Sequence, residues 1–211
     1  MSINTFTKHS GVAAPMLRIN IDTDAIIPSR EMKRVSKSGL GQALFASWRY
    51  IDRGEDTEIP DPEFVLNQAE YSNTSILLTG RNMGCGSSRE FAVWSLTDYG
   101  IRAIIAPSFG AIFHTNCIRN GLLPIVLDEN IVAELAAQVS EDPQQKRLSI
   151  DLEKCEVVAP DGAIHTFEIE PVYRQMLMKG LDAIDVTMQS DAAINTFIER
   201  DRKIRAWAYL D

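Results

Sequence analysis

Ile76-Leu77-Leu78-Thr79-Gly80-Arg81-Asn82-Met83-Gly84-Cys85-Gly86-Ser87-Ser88-Arg89-Glu90-Phe91-Ala92 reads as a strand, a glycine-rich turn and the start of a helix. The apolar run Ile76 to Leu78 suits a buried strand, and Phe91, Trp94 and Leu96 to Tyr99 keep helical spacing up to Gly100. A turn between a strand end and a helix start aims backbone N–H groups outward at the positive end of a helix dipole, which favours an anion. This turn adds two hydroxyls and a guanidinium. An arginine can grip a carboxylate through two parallel hydrogen bonds. A small acid is the ligand such a turn suits.

Spacing excludes the better-known glycine loops. Gly84-x-Gly86-x-x-Arg89 has arginine where a dinucleotide fingerprint needs its third glycine for close helix packing. A phosphate-binding P-loop requires Gly-Lys-Ser/Thr, and the turn has no lysine. A hydrolase nucleophile elbow requires glycine two residues after its serine, where Arg89 and Glu90 follow. The plain structural alternative is a capping box, since Ser87 and Glu90 have S-x-x-E spacing. A cap needs neither the preceding Gly-x-Gly nor Arg89 in the first turn. A cation there opposes the dipole unless something negative is close, which favours the anion site.

Outward from this stretch the chain alternates. Arg102–Ala106 reads as a strand, a helix follows from a Ser108 cap with Ile112, Phe113 and Cys117 on one face, and Gly121 ends it. Leu122–Leu127 is a strand and Ile131–Val139 a helix. Strands alternating with helices of this length predict βαβ units and an α/β fold with a mixed, mainly parallel central sheet. Leu148–Leu152, Cys155–Ala159 and Ile164–Ile169, the last two joined across Pro160-Asp161-Gly162, predict added antiparallel strands. Before the central stretch, Met16–Ile21 reads as a strand, Arg30–Ser38 as a basic mobile loop or short helix, and Leu40–Ile51 as a helix; Arg53–Asn67 reads as an extended connection. Pro171 opens a helix that ends at Gly180, and from Asp191 an amphipathic stripe of Ile194, Phe197 and Ile198 predicts a final core helix, with a partner-docking helix as the alternative.

Composition narrows the function classes. The 211 residues carry a formal net charge of −8, and 45% are apolar. Nucleic-acid binders show a basic face, and the basic run from Arg200 to Arg205 is interrupted by Asp201. No apolar run approaches the roughly 20 residues of a membrane span, and the first residues lack a signal-peptide layout. A cytoplasmic protein with neither nucleic acid nor membrane as partner is expected. Cys85, Cys117 and Cys155 are odd in number and widely spaced, and His9, His114 and His165 form no ligand pair. No metal site is expected on this chain.

Three motifs in fixed order carry a family resemblance: Asn20-Ile-Asp22-Thr23-Asp24-Ala-Ile-Ile-Pro28, then Gly84-Cys-Gly86-Ser87-Ser88-Arg89-Glu90, then Ala106-Pro-Ser108-Phe109…Asn116…Gly121-Leu-Leu-Pro124. Together they resemble the mobile swivel domain of the aconitase superfamily, a β/β/α arrangement. Length and the stretch Gly39-Leu-Gly41-Gln-Ala-Leu-Phe45…Trp48-Arg49 are most similar to the small subunits of bacterial 3-isopropylmalate dehydratases. Residues 1–190 cover the expected swivel domain, and 191–211 form a C-terminal helical extension that is the least family-like part.

The resemblance implies a hydro-lyase active only with a separate large subunit, as heterodimer or heterotetramer. That partner would carry a [4Fe-4S] cluster, and none would be bound by this chain. The reaction implied interconverts 2-isopropylmalate and 3-isopropylmalate through 2-isopropylmaleate, the second step of leucine biosynthesis. By motif position, Ser87 would be the base that removes the carbon-bound proton, Asp24 its supporting catalytic residue, and Arg89 the group that binds a carboxylate of the small dicarboxylate substrate. Ser88, Gly86 and Thr23 complete the expected binding set. Ala25 stands where the superfamily often has histidine. For the isopropyl group the loop from Arg30 to Leu44 is the expected apolar wall through Val35 and Leu40, with Arg34 or Lys37 reaching the second carboxylate. Two other readings stay open. One is the small subunit of a related hydro-lyase acting on citraconate or methylmalate, dimethylmalate or homoaconitate; the other is a non-catalytic anion-binding module.

Overall fold

The computed structural model of the chain describes residues 4–33, 38–53, 58–86 and 89–209. In chain order the strands are β1 (Lys8–Met16), β2 (Tyr50–Arg53), β3 (Glu58–Pro60), β4 (Thr74–Thr79) and β5 (Ala103–Ala106). They continue with β6 (Leu123–Val126), β7 (Leu148–Asp151), β8 (Glu156–Val158) and β9 (Ile164–Thr166). The helices are α1 (Thr23–Ile26), α2 (Ala46–Arg49), α3 (Phe91–Tyr99) and α4 (Ala111–Arg119). After them come α5 (Glu129–Glu141), α6 (Pro171–Lys179), α7 (Ala183–Met188) and α8 (Asp191–Ile204).

Seven strands form one sheet in the order β6-β5-β4-β1-β7-β8-β9. The run β6-β5-β4-β1 is parallel, and β7, β8 and β9 continue it antiparallel. A mixed, mainly parallel α/β sheet with an antiparallel add-on is therefore the architecture, as the alternation of the sequence predicts. Successive strand residues face opposite sides, and here both sides are covered. Ala14, Leu77 and Ile104 face a core with Leu96 and Val93 of α3 and Phe113 and Cys117 of α4. Ala13, Ile76, Leu78, Ala103 and Ile105 face a second core with Val132, Leu135 and Val139 of α5 and with β7. Burial on both faces is why these strands are continuous apolar runs rather than alternating ones. Each large buried side chain contributes roughly 1.5–3 kcal/mol.

Four expectations are corrected. The first strand lies earlier than Met16–Ile21: it runs over Lys8–Met16 and pairs with β4 in parallel and β7 antiparallel. The chain turns at once after Met16, whose carbonyl accepts from Arg18 N at 2.7 Å, and Asn20 takes a left-handed φ of 55°. Leu40–Ile51 is not one helix. Phe45 sits at φ 51°, buried against Trp48 and Phe64, so the helix breaks there and resumes only for α2 before β2 begins. The stretch expected as an extended connection holds β3, which pairs antiparallel with β2 just before it.

The fourth correction concerns the C-terminus. Helix α8 has the expected stripe, yet it is no core helix: Phe197 is exposed and Asp201 is its only buried residue. A helix α7 that the sequence did not announce precedes it, with an Asp182–Asp185 capping box.

Candidate functional site

The described parts of the first two motifs and the start of the third meet at one end of the parallel sheet. Each follows a neighbouring strand: residues 20–28 follow β1, 80–86 and 89–90 follow β4, and 107–110 follow β5. Backbone hydrogen bonds then tie the three loops together. Gly84 N donates to Ile21 O at 2.7 Å, Thr23 N to Cys85 O at 3.2 Å, Met83 N to Ser108 O at 3.0 Å and Gly110 N to Met83 O at 2.9 Å. The crevice outside the carboxyl ends of parallel strands is where open α/β sheets bind ligands.

Close approach explains two of the glycines. Gly84 has φ 73°, and a Cβ there would lie 2.0 Å from Phe113 Cγ. A Cβ on Gly110 would lie 2.7 Å from the Gly84 carbonyl oxygen. Only hydrogen at both positions lets the β4 loop lie on α4. Side chains add to the lattice: Ser108 Oγ accepts from Asn82 N at 2.9 Å, and Asn82 Nδ2 donates to Asn20 Oδ1 at 2.8 Å. Ser108 therefore ties two loops rather than capping α4, whose N-cap is Gly110.

Arg89 stands in this crevice with its side chain 31% exposed, paired with the Asp24 carboxylate. Ser29 completes the group: its hydroxyl accepts from Arg89 Nη1 at 3.1 Å and donates to Asp24 Oδ1 at 3.0 Å. The hydrogen bond from Arg89, and then that from Ser29, hold the Asp24 carboxyl below the usual carboxylate range. The negative partner that a cation beside a helix N-terminus demands is thus Asp24. Asp22 caps α1 by accepting from Ala25 N at 2.7 Å. Glu90, the second half of the capping-box alternative, accepts instead from Asn120 Nδ2 at 2.8 Å, and α3 starts at Phe91.

The structure brings Asp24, Arg89, Gly86 and Thr23 to the same crevice. Thr23 is 1% exposed, and its hydroxyl has no hydrogen-bond partner among the described residues, so it lies under the turn rather than on its surface. Ser87, Ser88 and Arg34 lie outside the described residues, as do Val35 and Lys37. Leu40 is 1% exposed and packs in the first core, so it presents no wall to a ligand in this chain. Ser29 was not singled out from the sequence. Its only sequence signal is a position directly after the Asp22-to-Pro28 motif.

The cysteines do not converge. Cys117 is buried in the first core, Cys155 packs against the second, and Cys85 lies in the site turn. Among the described residues no group of three His, Cys, Asp or Glu side chains is placed to hold a metal ion. A cleft of about 600 Å³ is lined by Met16, Arg18, Trp48, Asp61 and Phe64, and neither Asp24 nor Arg89 lines it. No helix among the described residues is long and apolar enough to cross a membrane.

Residues 3–130 match a family model described as the aconitase C-terminal domain, and residues 133–171 match a second, LeuD_N. The 3-isopropylmalate dehydratase small subunit of Cupriavidus necator is 57% identical over 206 residues, covering 98% of each chain. That of Agrobacterium fabrum is 46% identical, covering 96% of this chain and 98% of its own. A crystal structure of 3-isopropylmalate dehydratase from Methanocaldococcus jannaschii matches the fold with a TM-score of 0.63 at 27% identity, over 90% of this chain and 98% of that one. Motif order, the joined loops and these relatives agree: the chain belongs to the family of 3-isopropylmalate dehydratase small subunits, within the aconitase superfamily.

Proposed function

We propose that this chain works as the small subunit of a hydro-lyase that interconverts 2-isopropylmalate and 3-isopropylmalate through 2-isopropylmaleate, a step of leucine biosynthesis. The supporting observation is the Arg89–Asp24–Ser29 group, held in the open at the carboxyl ends of β1 and β4. A guanidinium so placed suits a small dicarboxylate. Arg89 and Asp24 stay partly exposed in this chain, and a large-subunit partner, as heterodimer or heterotetramer, would enclose them. The [4Fe-4S] cluster would belong to that partner, where iron supplies Lewis-acid chemistry. Cytoplasmic location is part of the same proposal.

On this reading the chain contributes three actions. Arg89 binds and orients a substrate carboxylate. Ser87 removes the proton from carbon, and Asp24 supports it. Serine is a weak base, so its alkoxide must be stabilised by the turn's N–H groups near Gly86 and Ser88, by the Arg89 charge, and by exclusion of water on docking. Because Leu40 is in the core, Val35 is the remaining loop residue proposed as the isopropyl wall. One methylene of discrimination is worth only about 1–3 kcal/mol, so closely related diacids remain plausible competitors for the site. We place the boundary between swivel domain and extension at residue 190, where α7 has ended and α8 is about to begin.

The test is turnover of the reconstituted pair. Ser87→Ala should lower kcat by about 10³-fold, a loss typical of removing an essential group, while Arg89→Ala should raise KM and lower kcat together. Near-full turnover by Ser87→Ala would sink the base assignment. Faster turnover of citraconate, dimethylmalate or homoaconitate than of 2-isopropylmalate would move the chain to a related hydro-lyase. Anion affinity without any partner, with no loss of partner activity in Arg89→Ala, would favour a non-catalytic module.

A further inference from the structure

In this structure the guanidinium assigned to substrate is already occupied by a carboxylate of the same chain. Arg89 pairs with Asp24, whose side chain is 56% exposed, and Ser29 touches both. A substrate carboxylate and Asp24 are chemically alike and want the same donors. Binding must therefore be an exchange: substrate takes Arg89 and Asp24 is released. A carboxylate that loses its guanidinium at a closing, drying interface needs another donor, because an unpaired charge there is costly.

We propose that Ser29 is a positioning residue that keeps the Asp24 carboxylate in place when a substrate carboxylate takes Arg89 from it. The proposal rests on the reading of Arg89 as the carboxylate binder. Its geometric basis is the direction of the one hydroxyl proton. Ser29 accepts from Arg89 at 3.1 Å and therefore spends its proton on Asp24 at 3.0 Å. When Arg89 turns to substrate, the bond between Ser29 and Asp24 can persist unchanged. Ser29 lies at the start of the turn Ser29–Lys33, anchored behind Pro28, where Glu31 N donates to Pro28 O at 2.9 Å. The hydroxyl thus sits on a short, backbone-fixed element rather than on a long side chain.

Ser29 also sets the protonation of Asp24 in the occupied site. The other charged groups described beside them are Asp22, whose carboxylate caps α1, Glu90, which accepts from Asn120, and Arg30 and Glu31, which pair with each other at 3.5 Å. Arg89 is the larger influence holding the Asp24 carboxyl down and Ser29 the next. With Arg89 given over to substrate, the Ser29 hydroxyl is the donor left to keep Asp24 ionised. Without it the carboxyl titrates at higher pH.

The experiment uses the reconstituted two-subunit enzyme with 2-isopropylmalate, comparing Ser29→Ala and Ser29→Thr over a pH series. Ser29→Ala should raise KM about tenfold, the usual scale for one hydrogen bond to a charged group, because Asp24 then has Arg89 as its main partner and competes harder for it. The acid limb of kcat should move to higher pH, and Ser29→Thr should restore both. An unchanged KM and acid limb overturns the proposal. So does a loss uniform across pH that threonine does not restore, since that is a purely structural effect. Arg89→Ala separates the two levels: if it keeps wild-type turnover the carboxylate-binder reading itself fails, whatever Ser29 does.

Discussion

The site end of the sheet and the C-terminal helices are ordered by opposite means. Around Gly84 and Gly110, loops from three strands cross-bond, and the backbone lies directly on the buried ring of Phe113. In α7 and α8 no apolar side chain is buried, and Ile184, Met188, Phe197, Ile204 and Trp207 are exposed, the last at 80%. What organises the tail is polar and local. Asp182 and Asp185 cap α7, and the Asp201 carboxylate accepts from Arg205 at 2.8 and 2.9 Å and from Tyr209 at 2.6 Å, folding the last turn back on α8. The contrast teaches that non-local packing defines the loop end of the sheet, whereas the tail is a set of neighbouring bonds that can open without the core.

The strongest way to break this contrast is at Gly84. Gly84→Ala forces a non-glycine residue to φ 73° and drives a methyl into Phe113. Backbone and overpacking costs together should destabilise the chain by at least about 3 kcal/mol. Thermal unfolding should show a large fall in midpoint, together with weakened association with the large subunit. A variant as stable as the parent would mean that the site loops are not set by this contact.

A smaller effect sharpens the comparison through pH. His9 of β1 bonds Ser75 Oγ at 2.8 Å, and burial, helped by Arg102, pushes its pKa below the ordinary 6.5. Burial does the same to His114, against an opposing Glu170. Both groups bind protons more readily unfolded than folded. Stability should therefore be full above about pH 6.5 and decline as pH falls from there towards the folded values. The midpoint should drop by roughly 2–4 °C between pH 7 and 5.5, and a His9→Gln, His114→Gln double variant should flatten that slope. A slope of the same size in the double variant would assign it to other groups.

The smallest effect belongs to the tail. Arg205, and then Tyr209, hold the Asp201 carboxyl below the usual carboxylate range, so the clamp is present above the ordinary Asp pKa and lost as pH falls through the depressed one. Asp201→Asn should speed amide exchange over residues 200–209 and leave the global unfolding midpoint unchanged. A fall in that midpoint would show that the tail is coupled to the core after all.

Legibility in the sequence follows the same divide. The alternation from β4 to α5, the antiparallel β7–β9 and the αL glycine ends at Gly100 and Gly180 are local or periodic signals, and the structure has them. The start of β1, the break at Phe45 and the exposure of α8 were not legible. A left-handed φ at buried Phe45 is imposed by packing, and an apolar stripe reads alike whether or not anything covers it. Asp24 and Arg89 were singled out because their motifs are distinctive, and the structure pairs them. Leu40 was misplaced because an apolar residue among basic ones looks like a pocket wall, and Ser29 was missed because a lone serine carries no pattern.

By itself, the sequence determined the α/β class and the family, because periodicity, glycine spacing and motif order are properties of neighbours along the chain. Tertiary structure alone decided that Asp24, 65 residues away, closes on Arg89, and that Ser29 joins them. Contacts at that separation depend on how β1 and β4 pair in register, and register is set by burial of the whole sheet rather than by any stretch that can be read alone.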